Sequence, residues 1–183
     1  MKFIITSFLL FITIACKAQN YPYLSKVESQ NTKPSSYAIV YGEFVQRLGF
    51  SSGGFPQDIR IINQETKEIQ TIRVKPAYKS AKANTFICFI KPGNYAILNY
   101  WWTKSKWYGG EMFTEPVYNN VKNASGSNQF QFSISENLVY YVGTWHFEQD
   151  QVFFSNDKLQ LDQTVEKKYS RINFNTAKII LPE

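Results

Sequence analysis

The stretch TFICFIKPGNYAILNYWW, residues 85–102, sets the expected fold of this chain. Two runs of β-branched and aromatic residues flank Lys91-Pro92-Gly93-Asn94, in which proline presets one φ angle and glycine permits a positive one. Strongly β-forming flanks around a tight turn predict a β-hairpin. Because side chains alternate along a strand, Trp101 and Trp102 should face opposite ways, and at most one of them enters the core.

Strand signals recur at short intervals on both sides of this hairpin. They predict strands over residues 36–44, 58–62, 69–74, 107–113, 128–134, 138–145 and 151–154. Residues 58–62 and 69–74 should form a second hairpin, and Gly143 in mid-strand predicts a bulge or the close approach of another backbone. A short C-terminal helix is expected over 162–169, where acidic residues open the segment and lysines close it, before a last strand over 172–181. Eight or nine strands at this spacing predict a mainly β chain folded as an antiparallel β-sandwich.

The N-terminus has the pattern of a bacterial export signal. Lys2 precedes the apolar run FIITSFLLFITIA over residues 3–15. This run is shorter than the roughly 20 residues of a membrane-spanning helix, and it has the length of a signal-peptide core. Residues 1–18 are therefore predicted to be a signal peptide, residues 19–35 a tether or irregular lead-in, and residues 36–183 the β-sandwich domain.

Two processing routes are compatible with this signal. Ala15-Cys16 resembles the end of a lipobox, which would leave Cys16 lipid-modified and anchor the protein to a membrane. Alternatively, signal peptidase I reads Cys16-Lys17-Ala18 and cuts before Gln19, which would leave a periplasmic or secreted protein. Both routes predict an exported protein of the cell envelope.

Composition excludes several classes of protein. Hydrophobic residues make up 44% of the chain, which favours a folded domain over a disordered one. The formal net charge is +6, but the lysines are scattered, whereas nucleic-acid binding needs a clustered basic face. The two cysteines are Cys16 and Cys88, the second inside an apolar run that predicts a buried thiol. Cysteine and histidine spacing predicts no metal site, and no cofactor is expected.

An aromatic cluster is the main candidate for a ligand or partner surface. Three of the four tryptophans fall between residues 95 and 113, interleaved with Asn, Thr, Lys and Glu. Flat rings beside polar groups form platforms for sugar faces or for protein partners. The candidate residues are Trp101, Trp102, Trp107 and Tyr108; the alternative interpretation assigns these large side chains to the core.

Catalytic patterns are weak. A Ser-His-Asp triad would have to use His146, the only histidine, which is better interpreted as an exposed or locally bonded side chain. The acidic residues considered for hydrolysis or for binding a cation are Glu111, Glu115, Glu148, Asp150 and Asp157. They lack the spacing of a calcium loop, and a carboxylate pair cannot be placed from sequence. We therefore expect a protein that is not an enzyme, with a hydrolase built on Glu111 or Glu148 as the least favoured alternative.

Two motifs resemble those of a known group of proteins. Residues 89–97 are similar to a Φ-x-x-P-G-x-Y-x-Φ turn, and residues 138–145 are similar to a ΦYYΦG strand; Lys167-Lys168-Tyr169 before a final strand is a further likeness. These motifs occur in small exported domains of Bacteroidetes-like bacteria, often lipoproteins, with a transthyretin-like or immunoglobulin-like β-sandwich. The resemblance implies that fold and supplies no catalytic residues.

The expected function follows from export, fold and composition together. The chain is predicted to be a non-enzymatic cell-envelope domain that binds another envelope component, either a protein or a glycan. The alternative is a carbohydrate-binding module that uses the aromatic platform on the 100–108 hairpin.

Overall fold

The chain forms a mainly β structure, as predicted. A computed structural model describes residues 21–28, 34–45, 57–74, 83–106, 109–119, 126–147 and 151–183. The strands in these ranges are β1 (Ala38–Val45), β2 (Gln57–Asn63), β3 (Ile69–Val74), β4 (Ala83–Ile90), β5 (Gly93–Lys106), β6 (Gly109–Pro116), β7 (Gln131–Ile134), β8 (Val139–His146), β9 (Phe153–Ser155) and β10 (Lys178–Ile179). The helical elements there are α1 (Lys158–Val165) and a 3₁₀ turn (Phe174–Thr176).

The first sheet is antiparallel throughout. It has the order β3-β2-β5-β6, and β7 pairs with the first residues of β5. β2 and β3 form the second predicted hairpin. The Asn63 side chain stabilises its turn by accepting hydrogen bonds from the N–H groups of Glu65 and Thr66 at 2.9 and 3.0 Å.

A bulge in β5 decides which of its side chains reach the core. The register of β5 against β2 skips Leu98. Ile97 lies in the core before the bulge, and Tyr100 and Trp102 lie in it after the bulge. Trp101 therefore faces the opposite side of the sheet, which confirms that at most one of the two tryptophans enters the core.

The second sheet is mixed, so the prediction of an antiparallel arrangement is wrong for this half of the fold. Its order is β10-β8-β1-β4, with β9 also paired to β8. β8 runs parallel to both β1 and β10. β1 and β8 are far apart in the chain, so the connection between them is long enough to return the chain in the same direction, which a short turn does not allow.

The hairpin predicted around Pro92 is also wrong. β4 pairs with β1 in the second sheet, whereas β5 pairs with β2, β6 and β7 in the first. The turn at Lys91-Pro92 therefore carries the chain from one sheet to the other. The turn chemistry is as expected, with Gly93 at φ 148°, but turn residues alone do not determine whether the flanking strands pair.

The two sheets pack face to face over one large aromatic core. Trp145 is fully buried at its centre, 5.3 Å from the ring of Phe44 and 5.4 Å from that of Phe154. Its indole Nε1 donates a hydrogen bond of 2.7 Å to the carbonyl of Val142. Cys88 lies in the same core, as predicted.

The other face of the second sheet is covered by α1 and the C-terminal segment. Leu161 and Val165, one turn apart on α1, pack with Tyr41 and Phe174 in a second apolar cluster. The helix thus lies over residues 158–165 and not over the predicted 162–169, because burial of these two side chains outweighs the charge pattern. In the described ranges, no helix is both long and apolar enough to cross a membrane.

The last predicted strand, residues 172–181, is mostly replaced by other structure. Phe174 begins a 3₁₀ turn and is fully buried against Tyr41, with 4.9 Å between ring centroids. Only Lys178–Ile179 pair as a strand, parallel to β8. The burial of Phe174 bends the segment, which alternation of apolar residues did not predict.

Both open sides of the two sheets are bridged by terminal segments. We call residues 21–28 the strap. The Leu24 N–H donates a hydrogen bond of 2.9 Å to the Thr71 carbonyl at the edge of β3. The Val27 N–H donates one of 3.0 Å to the Ile87 carbonyl of β4. On the far side, Ile180 bonds to β8 and Glu183 bonds to β7. Pairing in this way protects sheet edges that would otherwise expose unpaired N–H and C=O groups.

Gly143 produces both effects that its position predicts. It has φ of +97° and lies where the β1–β8 register shifts, so it forms a bulge. Its carbonyl oxygen also lies only 2.4 Å from the place where a Cβ on Gly42 would be. The two central strands can approach this closely only because Gly42 carries no side chain; a Cβ on Gly143 would instead meet Leu181 and Ser155.

We expect the protein to lose stability above pH 9. Burial raises the pKa of the Cys88 thiol from its ordinary 9.0 to about 12, and burial likewise raises the pKa of Tyr41. The folded state therefore favours the neutral thiol, and this stabilisation is complete below pH 9 and is lost as pH rises towards 12. Urea unfolding between pH 7 and pH 11 should show a decline of up to about 1.4 kcal/mol per pH unit for each such group. A Cys88→Ala variant should decline less between pH 9 and 10; an identical decline would contradict the role of the thiol.

Candidate functional site

The outer face of the first sheet carries an ordered set of polar and aromatic side chains. Residues of β2, β3 and β5 that alternate with core positions point to this face. The side chains concerned are Asp58, Arg60, Thr71, Arg73, Asn99 and Trp101. Tyr23 of the strap forms an isolated parallel β-bridge with Thr71, so the two side chains point to the same face of the sheet.

These side chains surround an open groove of about 520 Å³, which we call the outer groove. Its volume lies within the range of small-molecule sites. It is lined by Tyr21, Pro22, Tyr23, Asp58, Arg60, Thr71, Trp101 and Met112. The groove thus combines three aromatic rings with charged groups, and the strap supplies two of those rings.

Arg60 lines the outer groove and contacts two of its rings. Its guanidinium carbon lies 3.8 Å from the centroid of the Trp101 ring and 4.5 Å from that of Tyr21. Each cation–π contact contributes about 0.5–2 kcal/mol and fixes the orientation of the cation. Among the described residues, no hydrogen-bond acceptor or carboxylate pairs with Arg60, so its N–H donors are not used by the protein there.

The second arginine on this face, Arg73, is paired with neighbours of the groove. Arg73 Nε lies 3.3 Å from Asp58 Oδ1, and Arg73 also donates to the Tyr23 hydroxyl. Tyr23 in turn donates to Asp58 Oδ2 at 3.1 Å, and burial with the neighbouring Asp58 raises the pKa of Tyr23. Asp58 is therefore neutralised by Arg73, and Arg60 carries the uncompensated charge of the groove.

Two buried polar atoms on this face have no protein partner among the residues that the structure describes. They are the indole Nε1 of Trp101 and the side-chain Oδ1 of Asn99, which stands opposite Arg60 in the β2–β5 register. A buried donor or acceptor left without a partner costs about 1–3 kcal/mol. These two unpaired atoms belong to residues on the same face as Arg60, whose charge is not compensated.

The structure separates the residues of the predicted aromatic platform. Trp101 lines the outer groove, but Trp102 is only 6% exposed, and its ring stacks on Phe113 at 4.5 Å. Trp102 is therefore corrected from a surface residue to a core residue, because the Leu98 bulge turns it inward. Trp107, Tyr108 and the proposed lipidation site Cys16 lie outside the described residues.

His146 is locally bonded, as the sequence interpretation has it. Its Nε2 lies 2.9 Å from Ser155 Oγ, and its ring stacks on Phe153 at 4.1 Å. Ser155 donates its hydroxyl proton to Asp157 Oδ2 at 2.5 Å. In a catalytic triad the carboxylate orients the histidine and the histidine accepts the serine proton, so this arrangement differs from a triad.

The acidic candidates do not converge on one site in the described residues. Glu111 is exposed on β6, whereas Glu115 accepts a hydrogen bond of 3.0 Å from the indole of Trp102. Asp157 belongs to the serine contact described above, and Glu148 and Asp150 lie outside the described ranges. Among the described residues, no group of three or more metal-ligating side chains is assembled.

Most of the outer groove was not predicted from the sequence. Tyr21 and Tyr23 fell within the lead-in of residues 19–35, and Arg60 and Arg73 were considered only as strand positions. The alternation of Asp58 and Arg60 with buried isoleucines was the available signal, since it places both charges on one face of β2. Nothing local indicates that the strap docks beside β3.

Comparisons with known proteins add little. No family model matches the chain, and no curated protein matches it. Among solved structures, a leucine-rich repeat protein from Bacteroides thetaiotaomicron VPI-5482, with a crystal structure at 2.80 Å resolution, has 10% sequence identity and a TM-score of 0.40. The match covers 74% of this chain and 16% of that protein. A likeness this weak carries no argument about fold or function.

Proposed function

We propose that this chain is a non-enzymatic binding domain of the bacterial cell envelope. In this proposal the domain is a β-sandwich of the transthyretin-like or immunoglobulin-like kind that is exported by residues 1–18. It is either anchored through Cys16 or released after a cut before Gln19, and its partner is another envelope component, a protein or a glycan. The outer groove supports the proposal, because paired strands and the strap hold Arg60 between Tyr21 and Trp101, with no hydrogen-bond acceptor for it among the described residues.

The position of the strap supports an envelope ligand. Tyr21 follows Cys16 by five residues, and an extended chain spans at most about 3.6 Å per residue. A lipid on Cys16 would therefore hold the outer groove within roughly 18 Å of the membrane surface. Residues 21–28 are docked on both sheets, so any free tether in this proposal is confined to the few residues before Tyr21.

A carbohydrate-binding module is the second candidate. The exposed apolar surface of the groove favours it, since Tyr23 and Met112 line the groove and are 46% and 62% exposed, and sugar rings pack their apolar faces against such surface. The platform then differs from the one expected from sequence, because Trp102 is buried and the strap tyrosines take its place.

We expect Trp101→Ala to abolish binding to bacterial envelopes. The full chain, expressed and processed in a Gram-negative host, is purified, labelled and titrated onto washed envelope preparations. The unmodified protein should bind saturably and leave the envelope material chemically unchanged by mass spectrometry, whereas Trp101→Ala should weaken binding at least tenfold. Leu159→Ala, at an exposed helix position, serves as the matched control.

Treatment of the envelopes separates the two candidates. Binding that survives protease but not periodate oxidation identifies a glycan, and the reverse pattern identifies a protein. Unsaturable binding, or equal binding by Trp101→Ala, would overturn the proposed function, and release of cleaved envelope fragments would show an enzyme.

A further inference from the structure

We infer that the outer groove recognises a carboxylated sugar, of the uronic-acid type, within an acidic glycan. This inference rests on the proposed function and names its ligand class. It is drawn from the state of Arg60, whose guanidinium carbon lies over the rings of Trp101 and Tyr21 and which has no hydrogen-bond acceptor among the described residues.

The geometry of a stacked guanidinium selects its ligand. Stacking uses the two faces of the planar group, so its N–H donors remain directed outward along the edges. Two parallel N–H donors match the two oxygens of a carboxylate, and such charge-assisted pairs are about twice as strong as neutral hydrogen bonds. The rings of Tyr21 and Trp101 keep the guanidinium oriented before the ligand arrives, which reduces the entropy lost on binding.

Charge on this face favours an anion. Asp58 would repel one, but it already pairs with Arg73 and accepts from Tyr23. Two arginines, Arg60 in the groove and Arg73 beside it, outnumber the single aspartate among these side chains. The pairing of Asp58 with Arg73 therefore leaves Arg60 available for a negatively charged ligand.

The other features of the groove fit a sugar better than an isolated acid. Met112 and Tyr23 line the groove and are 62% and 46% exposed, so they provide apolar surface for the ring carbons of a sugar.

Matched oligosaccharides test the inference. Oligogalacturonate carries a carboxylate on every ring, its methyl ester retains the ring without the charge, and galactan oligosaccharides lack the acid group. By isothermal titration calorimetry, the full processed chain should bind oligogalacturonate or a second acidic series, oligomannuronate, at least tenfold more tightly than the ester or the neutral sugar. Binding should weaken with added salt.

Variants identify the residue responsible. Arg60→Met keeps an unbranched side chain but removes the charge and the N–H donors, and it should lower affinity for the acidic sugar at least tenfold. Arg60→Lys keeps the charge without the two-pronged donor and should be intermediate. Lys178→Met removes one charge from an exposed position on the second sheet and should bind normally. Circular dichroism confirms that each variant is folded.

The outcomes distinguish this inference from the proposed function. Equal binding of acidic and neutral sugars, or normal binding by Arg60→Met, overturns the carboxylate inference and leaves an envelope-binding domain. Protease-sensitive envelope binding without any glycan binding also overturns the inference, because the ligand is then a protein. Absence of saturable envelope binding defeats the proposed function itself.

Discussion

Replacing Trp145 with alanine is expected to lower the free energy of unfolding by about 3–5 kcal/mol. Trp145 is fully buried, and its ring contacts four aromatic side chains; these are Phe44, Phe86, Phe132 and Phe154. Alanine removes these contacts and leaves a cavity that two paired sheets cannot close. The Val142 carbonyl also loses its hydrogen bond from Nε1. Urea unfolding followed by far-ultraviolet circular dichroism measures the loss.

Two variants control for this result. Leu159→Ala removes a large apolar side chain that is 83% exposed, and it should change stability by less than about 0.5 kcal/mol. Trp145→Phe retains an aromatic ring but not the indole N–H, so its cost should fall between those of the other two variants. A cost below about 1 kcal/mol for Trp145→Ala would contradict the placement of this residue at the centre of the core.

Gly42→Ala is expected to destabilise the fold by about 3 kcal/mol, the upper end of the range for overpacking. Its added Cβ would lie 2.4 Å from the Gly143 carbonyl oxygen and 2.9 Å from Cζ of Phe86. The first of these contacts is with backbone, so β1 and β8 would have to separate where they pair. The same urea experiment measures the effect.

Gly126→Ala is the matched control for that variant. Gly126 has φ of +77°, but a Cβ there would meet no atom within 4 Å. Its cost should therefore be that of backbone strain alone, about 1–2 kcal/mol. If the two substitutions cost the same, the close approach of β1 and β8 is not what requires glycine at position 42.

Much of the fold was predictable because β-forming segments and turns are local properties. The strands around the β2–β3 hairpin, the buried Cys88 and the special role of Gly143 all follow from neighbouring residues. Pairing is not local. The turn at Pro92 has the chemistry of a hairpin, yet β4 and β5 join different sheets, and the parallel contact of β1 with β8 links segments about a hundred residues apart.

The candidate site shows the same division. Trp101 was identified from composition, but strict alternation from Tyr95 would have placed it on the core side of β5. The Leu98 bulge reverses this assignment and directs Trp102 inward instead. Tyr21 reaches Arg60 only because the strap docks beside β3, and the backbone hydrogen bonds that hold it there join residues far apart in sequence.

The sequence by itself determined a mainly β chain with a short C-terminal helix, since β propensity, alternation and turn residues act over a few neighbouring positions. Only the tertiary structure decided the mixed second sheet, the docking of the strap and the orientation of each tryptophan. Bulges and edge pairing depend on contacts between distant strands, and a shift of one residue moves every following side chain to the other face. The outer groove forms because the Leu98 bulge in β5 and the docking of the strap beside β3 place Arg60 between Tyr21 and Trp101.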